Sequence, residues 1–228
     1  SDDMWTHQYD QMSNQMACIQ FPGKTLFRTN GSQAHLFGLE PEFGCCTANF
    51  GQGWPKFLLS AFLHKDGVVE NTLPLPCKLT APQYTVSVET EYPFRNRVVY
   101  TVEAKEAFTF RIRVPSFAKN LTVSGTPAEG DQLFALSAGE TRVITLEFDT
   151  EVEWMARPYD LSAVKKGSLL FALPIPYETR MKEYEKNGVE RKFPYCDYEL
   201  IPTSEWSYGY CGGELYIDDR LVNDVAPK

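Results

Sequence analysis

The chain has 228 residues, and its formal net charge of −8 gives an isoelectric point near 5.0. This length suggests one large domain or two small ones, and the acidic balance argues against non-specific nucleic-acid binding. No apolar run is long enough to cross a bilayer, so we expect a soluble chain without a membrane partner. Fifteen glycines, fifteen prolines and 14% aromatic residues favour a β-rich protein.

The N-terminal residues carry no targeting information. Ser1-Asp2-Asp3 shows neither an initiator methionine nor a signal-peptide pattern. We therefore expect a fragment that starts within a longer protein. Residues 5–18 are polar and rich in amides, and they fit either a sugar-facing loop with hydrogen-bonding side chains or a solvated loop. Residues 19–44 read as irregular structure.

Two adjacent cysteines, Cys45 and Cys46, follow Gly44 and precede an amphipathic run. Adjacent cysteines rarely bond to each other because the ring they close is strained. We therefore expect them to be free, metal-bound or paired elsewhere. A helix beginning just after them would point its positive end at the sulfurs and favour the thiolate, which is both a metal ligand and a nucleophile.

The strongest helical pattern covers residues 47–64. Its apolar residues recur at spacings of three and four, with Trp54 on the apolar face and expected in the core. Pro55 predicts either a helix that starts near Trp54, with proline in its first turn, or a kink.

Residues 68–148 alternate apolar and polar side chains in short runs separated by turn residues, which indicates an antiparallel β-sandwich. Residues 152–155 read as one more strand of that sandwich, and residues 167–173 as a buried strand. The charged residues 178–192 read as a surface excursion containing a short helix. Aromatic residues at 195–210 suit either sugar stacking or packing at a domain edge. The predicted sandwich strands are 68–69, 78–80, 84–90, 97–103, 107–114, 121–124 and 141–148.

The cysteine pair admits two chemistries. Zinc takes thiolate ligands, but the pair supplies at most two. The nearby candidates His7, Cys18, His35, Glu40 and Glu42 show no recognised ligand spacing. Paired cysteines without a metal, including a redox-sensing pair, stay open. As a nucleophile, a metal-stabilised thiolate could replace the carboxylate of a retaining glycosidase.

Six short motifs stand out along the chain: Met4-Trp5-Thr6-His7-Gln8-Tyr9, Asn14-Gln15, Phe37-Gly38-Leu39-Glu40-Pro41, Phe43-Gly44-Cys45-Cys46-Thr47-Ala48-Asn49, Gly53-Trp54-Pro55-Lys56 and Pro202-Thr203-Ser204-Glu205-Trp206-Ser207-Tyr208. They resemble the β-L-arabinofuranosidase family of glycoside hydrolases (family 127 and its relatives), and the similarity extends over nearly the whole chain. It is most specific at the cysteine pair, although Thr47-Ala48 stand where characterised members have a proline-rich continuation.

The resemblance implies an (α/α)6 catalytic barrel, also called a six-hairpin barrel, joined to β-sandwich domains. It implies that Cys45 is the nucleophile and that Cys45 and Cys46 bind zinc together with a glutamate and another cysteine. Those two ligands and the acid/base glutamate would lie upstream of Ser1, so the missing barrel would be this chain's partner. His7, Gln8 and Tyr9 are the expected substrate-binding residues, and Trp5 and Trp54 a possible stacking wall.

Together these observations predict the end of the barrel at 1–65, a β-sandwich at 66–155 and part of a second sandwich at 156–228. The expected function is that of a zinc-dependent retaining glycosidase fragment acting on β-L-arabinofuranosides or related plant-polysaccharide sugars, inactive by itself. The compartment stays open between bacterial cytoplasm and a secreted or periplasmic location. The alternative is a non-catalytic carbohydrate-binding or accessory sandwich module.

Overall fold

The computed structural model describes residues 6–10, 15–20, 32–38, 44–215 and 217–218, with the backbone alone at residues 32, 33, 44, 46, 47 and 50. The chain forms two compact units, one containing residues 1–53 and 173–212, the other residues 54–172 and 213–228. The three-domain division predicted from the sequence stays a prediction.

The described residues are mainly β, as predicted. They contain a 3-10 helix (Ser32–His35), one α-helix, α1 (Gly44–Leu59), and seventeen strands. The strands are β1 (Phe62–Lys65), β2 (Val68–Asn71), β3 (Cys77–Thr80), β4 (Tyr84–Thr90), β5 (Arg97–Ala104), β6 (Phe108–Ile112), β7 (Lys119–Val123), β8 (Thr126–Pro127), β9 (Gln132–Leu136), β10 (Thr141–Asp149), β11 (Val152–Ala156), β12 (Ser162–Lys166), β13 (Leu169–Phe171), β14 (Tyr177–Lys182), β15 (Tyr184–Lys186), β16 (Val189–Arg191) and β17 (Asp197–Pro202).

The second unit is built around a six-stranded sheet in the order β3-β4-β5-β10-β7-β8. All its pairs are antiparallel, and β5 lies between β4 and β10. In β5 the buried side chains are Val98, Tyr100, Val102 and Ala104. Because successive strand residues point to opposite faces, this alternation gives the sheet one apolar face.

A four-stranded sheet, in the order β1-β2-β6-β9, contributes to the same core. Its strands β2 and β6 are parallel, which differs from the purely antiparallel sandwich that the sequence predicted. Tyr84 of the larger sheet stacks on Phe108 of the smaller one, with ring centroids 4.8 Å apart. The core between the sheets is therefore apolar and aromatic.

Strands β11, β12 and β13 form a separate three-stranded sheet. The expectation that residues 152–155 add to the sandwich is therefore wrong, because β11 pairs with β12. The predicted buried strand at 167–173 is shortened to Leu169–Phe171, and Leu170 and Phe171 are exposed.

The first unit joins residues that are far apart in the sequence. Strand β17 pairs with β14, and isolated bridges connect Leu200 to Cys18 and Tyr198 to Phe37. Strands β15 and β16 form a hairpin, so the short helix expected within 178–192 is wrong. The residues of β14 are exposed, in agreement with a surface position.

Helix α1 begins and ends earlier than the predicted 47–64, and Pro55 lies inside it rather than in its first turn. The residues from Phe62 to Lys65 form β1, which pairs with β2. Trp54 is 73% exposed and Leu59 is 80% exposed, so the expectation of a core position for Trp54 is wrong in this chain. No helix among the described residues has the length and apolarity needed to cross a membrane.

Candidate functional site

Cys45 lies in the first turn of α1, one residue after the helix begins at Gly44. Its side chain is exposed and forms no disulfide. Its carbonyl oxygen accepts a hydrogen bond from Nδ2 of Asn49 at 2.7 Å, and Oδ1 of Asn49 accepts one from Nε2 of Gln52 at 2.8 Å. These bonds hold the first turns of the helix while the thiol faces solvent.

Cys45 lies at the positive end of the α1 helix dipole. The first turn of α1 contains no acidic residue. The unpaired backbone N–H groups at a helix N-terminus carry partial positive charge, which stabilises an anion there. A thiolate suits zinc, so the donor type of Cys45 fits the expected metal.

The side chain of Cys46, the second predicted zinc ligand, lies outside the described residues. Glu40 and Glu42, nearby candidates that are not assigned as ligands, and Trp5 of the expected stacking wall also lie outside them. Within the described part of the chain, no three His, Cys, Asp or Glu side chains come together in a possible metal site. The zinc site stays a prediction.

His7 and Tyr9, two of the expected substrate-binding residues, are half-buried in the first unit. The main chain of His7 pairs with Gly38 in both directions: its N–H donates to the Gly38 oxygen at 3.1 Å, and the Gly38 N–H donates to the His7 oxygen at 3.0 Å. This pairing fixes the backbone that carries both side chains. Their substrate role stays a prediction.

Gln8, the third expected substrate-binding residue, has contacts inside the chain. Its Nε2 donates to the His35 carbonyl at 2.7 Å and lies 3.6 Å from Sγ of Cys18. Gln15 reaches the same sulfur at 3.6 Å. A primary amide has two N–H donors, so a sugar hydroxyl would have to use the Gln8 oxygen.

Cys18 and His35 belong to a packed layer that also contains Gln8 and Gln15. His35 is fully buried. Burial raises the pKa of the Cys18 thiol, and the hydrogen bond from Gln8 partly opposes this effect. A neutral, half-buried thiol suits packing better than metal binding.

A carboxylate that the sequence analysis did not single out lies beside this layer. Asp197 accepts a hydrogen bond from the Tyr184 hydroxyl at 3.2 Å. A Cβ atom on Gly38 would lie 2.9 Å from Oδ1 of Asp197, so any side chain there would displace the carboxylate. No local sequence signal marks this contact, because it depends on pairing across about 160 residues.

Comparison with solved structures identifies the fold. A protein described as a glycoside hydrolase matches 86% of this chain at 16% identity, with a TM-score of 0.55. The chain shares its fold with a glycoside hydrolase. It spans 42% of that protein's length.

Two further solved structures are similar at lower scores. A GH127 β-L-arabinofuranosidase from Geobacillus stearothermophilus T6 has a TM-score of 0.40 and 15% identity, over 71% of this chain and 34% of its own. A GH127 β-arabinofuranosidase has a TM-score of 0.44 and 17% identity, over 69% of this chain and 36% of its own. No family model and no curated protein matches the sequence.

Proposed function

We propose that this chain is part of a retaining glycoside hydrolase in which Cys45 is the nucleophile. The observation that carries the proposal is the exposed, disulfide-free thiol of Cys45 in the first turn of a sixteen-residue helix without an acidic residue there. The fold shared with a solved glycoside hydrolase supports this class of enzyme.

In the proposed reaction, the Cys45 sulfur attacks the anomeric carbon of the sugar. The new C–S bond forms as the glycosidic C–O bond breaks, and the leaving oxygen takes a proton from a carboxylic acid outside this chain. Water then gives a proton to the resulting carboxylate while its oxygen displaces sulfur from the anomeric carbon. This step regenerates the thiolate and the carboxylic acid and retains the anomeric configuration. Zinc held by Cys45 and Cys46 would keep the thiol ionised at neutral pH.

The proposed substrates are β-L-arabinofuranosides or related plant-polysaccharide sugars. His7 and Tyr9 would contact sugar hydroxyls from a backbone fixed by the pairing with Gly38. The proposed partner is an N-terminal helical barrel of the same longer protein, which would supply the acid and two further zinc ligands. It would also cover the exposed apolar residues Trp54, Leu58 and Leu59 of α1.

The test uses the longer protein and an aryl β-L-arabinofuranoside. We expect Cys45→Ala to abolish turnover and to lower the bound zinc measured by elemental analysis. Cys211→Ala is the matched control, because Cys211 is also an exposed, disulfide-free thiol and should be dispensable. A Cys45→Ala protein that keeps full turnover would refute the nucleophile. Turnover by the isolated 228-residue chain would refute its dependence on the barrel.

A second candidate function is carbohydrate binding without catalysis. It is favoured by a run of exposed aromatic side chains near the end of the first unit, Tyr195, Trp206, Tyr208 and Tyr210. Exposed aromatic rings stack on apolar sugar faces. Glycan-array binding that survives the double change Cys45→Ser and Cys46→Ser, in a longer protein without turnover, would favour this alternative.

A further inference from the structure

The second unit contains a cavity of about 110 Å³ beside the turn that connects β4 to β5. Its walls come from that turn, from Thr150 just after β10, from the adjoining ends of β12 (Lys166) and β13 (Leu169), and from Ile217. None of the residues discussed for the proposed catalytic site lines it. The cavity and the proposed catalytic site therefore share no residue.

Two residues with cationic side chains, Arg95 and Lys166, line the cavity together with the polar residues Asn96 and Thr150. The described lining residues include no carboxylate. This composition is notable in a chain whose net charge is −8. Arg95 and Lys166 each have other interactions within the chain. However, a guanidinium has five N–H donors and an ammonium three, so both can also bind a ligand.

The walls of the cavity are tied together by short contacts. Nδ2 of Asn96 donates to Oγ1 of Thr150 at 3.0 Å, and the Tyr92 hydroxyl lies 2.6 Å from Oγ of Ser168. Gly167 has a φ of +59°, and a Cβ atom there would lie 3.0 Å from Cγ2 of Thr150. These contacts connect the turn carrying Arg95 to the hairpin carrying Lys166, so the two cations are held on a preformed frame.

The size of the cavity and one aromatic wall narrow the class of ligand. Pockets for drug-sized molecules have volumes of about 300–1,000 Å³. This cavity is smaller and suits a single charged group on a small molecule. Phe94, another lining residue, is aromatic and 67% exposed. An aromatic face beside polar groups suits an amphipathic ring such as a sugar.

We infer that the cavity binds the carboxylate of an acidic sugar, with Arg95 and Lys166 contacting the carboxylate and Phe94 packing against the ring. Arginine binds planar carboxylates through two parallel N–H donors. The preference for a carboxylate follows from the residues that line the cavity. The choice of a sugar as the molecule bearing that carboxylate rests on the proposed function. The site would hold an acidic polysaccharide without taking part in bond cleavage.

The test is calorimetric titration of the 228-residue chain with three probes: D-galacturonate, D-galactose and acetate. D-galacturonate and D-galactose differ mainly at the carboxylate, while acetate carries the carboxylate without the ring. We expect D-galacturonate to bind more tightly than both, with affinity that falls as salt is added. Amide NMR signals of residues 93–96 and 166–169 should shift on titration.

The variant carries Arg95→Gln and Lys166→Gln together. Its matched control carries Arg97→Gln and Lys165→Gln, which change net charge equally. Arg97 and Lys165 pair instead with Glu147 at 3.3 Å and Glu153 at 3.0 Å. We expect the variant to lose about tenfold or more in affinity and the control to bind as the unmodified chain does. If the double variant has a lowered melting temperature, Lys166→Gln alone is titrated instead, and a smaller loss of affinity is expected.

Four outcomes would contradict the inference. Equal binding by the Arg95/Lys166 variant would exclude the cavity as the site, as would a lack of NMR shifts there. Equal binding of D-galactose would exclude the carboxylate, and equal binding of acetate would exclude the sugar. None of these measurements involves Cys45 or turnover, so a negative result would leave the proposed glycosidase function untouched, and the converse also holds.

Discussion

At the scale of single residues, two aspartates have opposite electrostatic surroundings. Oδ1 of Asp131 accepts a hydrogen bond from the Val114 N–H at 2.9 Å, and Oδ2 lies 2.5 Å from the Arg111 guanidinium. The backbone bond first, and then the arginine, lowers the pKa of Asp131. Burial raises the pKa of Asp197, although the Tyr184 hydroxyl partly opposes this. The two carboxylates therefore affect stability in opposite directions.

Asp131→Asn should destabilise the chain at pH 7, because the ionised carboxylate is stabilised in the folded state. A lowered pKa adds stability above the unfolded value of about 3.9, and this stability is lost as the pH falls through the folded pKa. Urea unfolding at pH 7 and pH 3 measures the effect. The difference from the unmodified chain should shrink in acid, and a constant difference would contradict the explanation.

Asp197→Asn should stabilise the chain at pH 7. A raised pKa means that folding disfavours the charged carboxylate. The penalty is present above the folded pKa and absent below the unfolded value of about 3.9. Lys182, Lys186 and Arg191 reduce the penalty without removing it. Melting temperatures from pH 3 to pH 7 should show a gain that appears only as the pH rises, and a loss of stability at pH 7 would contradict this.

At the scale of secondary-structure elements, a hydrogen bond links the two main sheets through their core. The Tyr100 hydroxyl in β5 donates to Oδ1 of Asn71 in β2 at 3.0 Å, and Nδ2 of Asn71 donates to the carbonyls of Ala61 and Leu73, each at 3.0 Å. Tyr100 and Asn71 are each 1% exposed. The bond therefore joins two elements at a point where water cannot replace it.

Tyr100→Phe should lower the free energy of unfolding by about 1–3 kcal/mol, because it leaves the buried Oδ1 of Asn71 without its donor. Chemical denaturation measures the change. Tyr84→Phe is the comparison, since the Tyr84 ring stacks on Phe108 and remains in place. We expect a smaller loss there. Equal losses for the two variants would show that the link between the sheets is not the cause.

Gly167→Ala tests the turn between β12 and β13. An alanine at φ +59° is strained by about 1–2 kcal/mol, and its Cβ would also press on Thr150 and on Phe117, 3.3 Å away. Gly130→Ala is the control, because Gly130 has a φ of +63° but open space around it. Thermal denaturation should show the larger loss at Gly167. Matched losses at both positions would mean that crowding adds nothing.

The alternation of apolar and polar residues correctly predicts the strands at the centre of the sheets. It fails where contacts with neighbouring segments determine the backbone conformation. Strands β4, β5 and β10 agree with their predicted ranges almost residue for residue. The apolar spacing of three and four continues through Ala61 and Phe62, so the sequence predicts helix where the structure has β1. The hairpin β15–β16 was missed, although Asn187-Gly188, with φ values of 54° and 76°, is a typical hairpin turn.

Other features of the site required the structure. The sequence shows two adjacent cysteines followed by a helical pattern, and it therefore predicts that Cys45 lies near a helix N-terminus. By contrast, the closeness of Asp197 to Gly38 and the presence of Arg95 and Lys166 in the lining of one cavity involve residues that no local pattern connects. Such contacts come from strand order, which alternation alone does not specify.

At the scale of the whole molecule, the chain has a well-packed sandwich core and an apolar helix surface that faces solvent. Val86, Val98 and Val102 are fully buried in the sandwich. The side chains of Trp54 and Phe57 in α1 lie against each other, with ring centroids 5.7 Å apart, yet both are exposed. Contiguous exposed apolar surface marks an interaction site, which the proposed barrel would cover.

Trp54→Ser should change the unfolding free energy of the isolated chain by less than about 0.5 kcal/mol, because the side chain is already in water. It should also reduce self-association, measured by sedimentation velocity. Leu146→Ala is the contrasting change and should cost about 2–5 kcal/mol, since Leu146 is 1% exposed. A large loss of stability for Trp54→Ser would show that the helix surface contributes to folding of this chain alone.

The pairing of early and late segments has a consequence for biosynthesis. Cys18 pairs with Leu200 and Phe37 pairs with Tyr198, and these partners are synthesised about 160–180 residues later. Ribosomes add about 5–20 residues per second, so the delay is on the order of ten to thirty seconds. The sandwich strands from Phe62 to Asp149 emerge within that interval. Until β17 is made, the backbone N–H and C=O groups of Cys18 and Phe37 have no strand with which to form these hydrogen bonds.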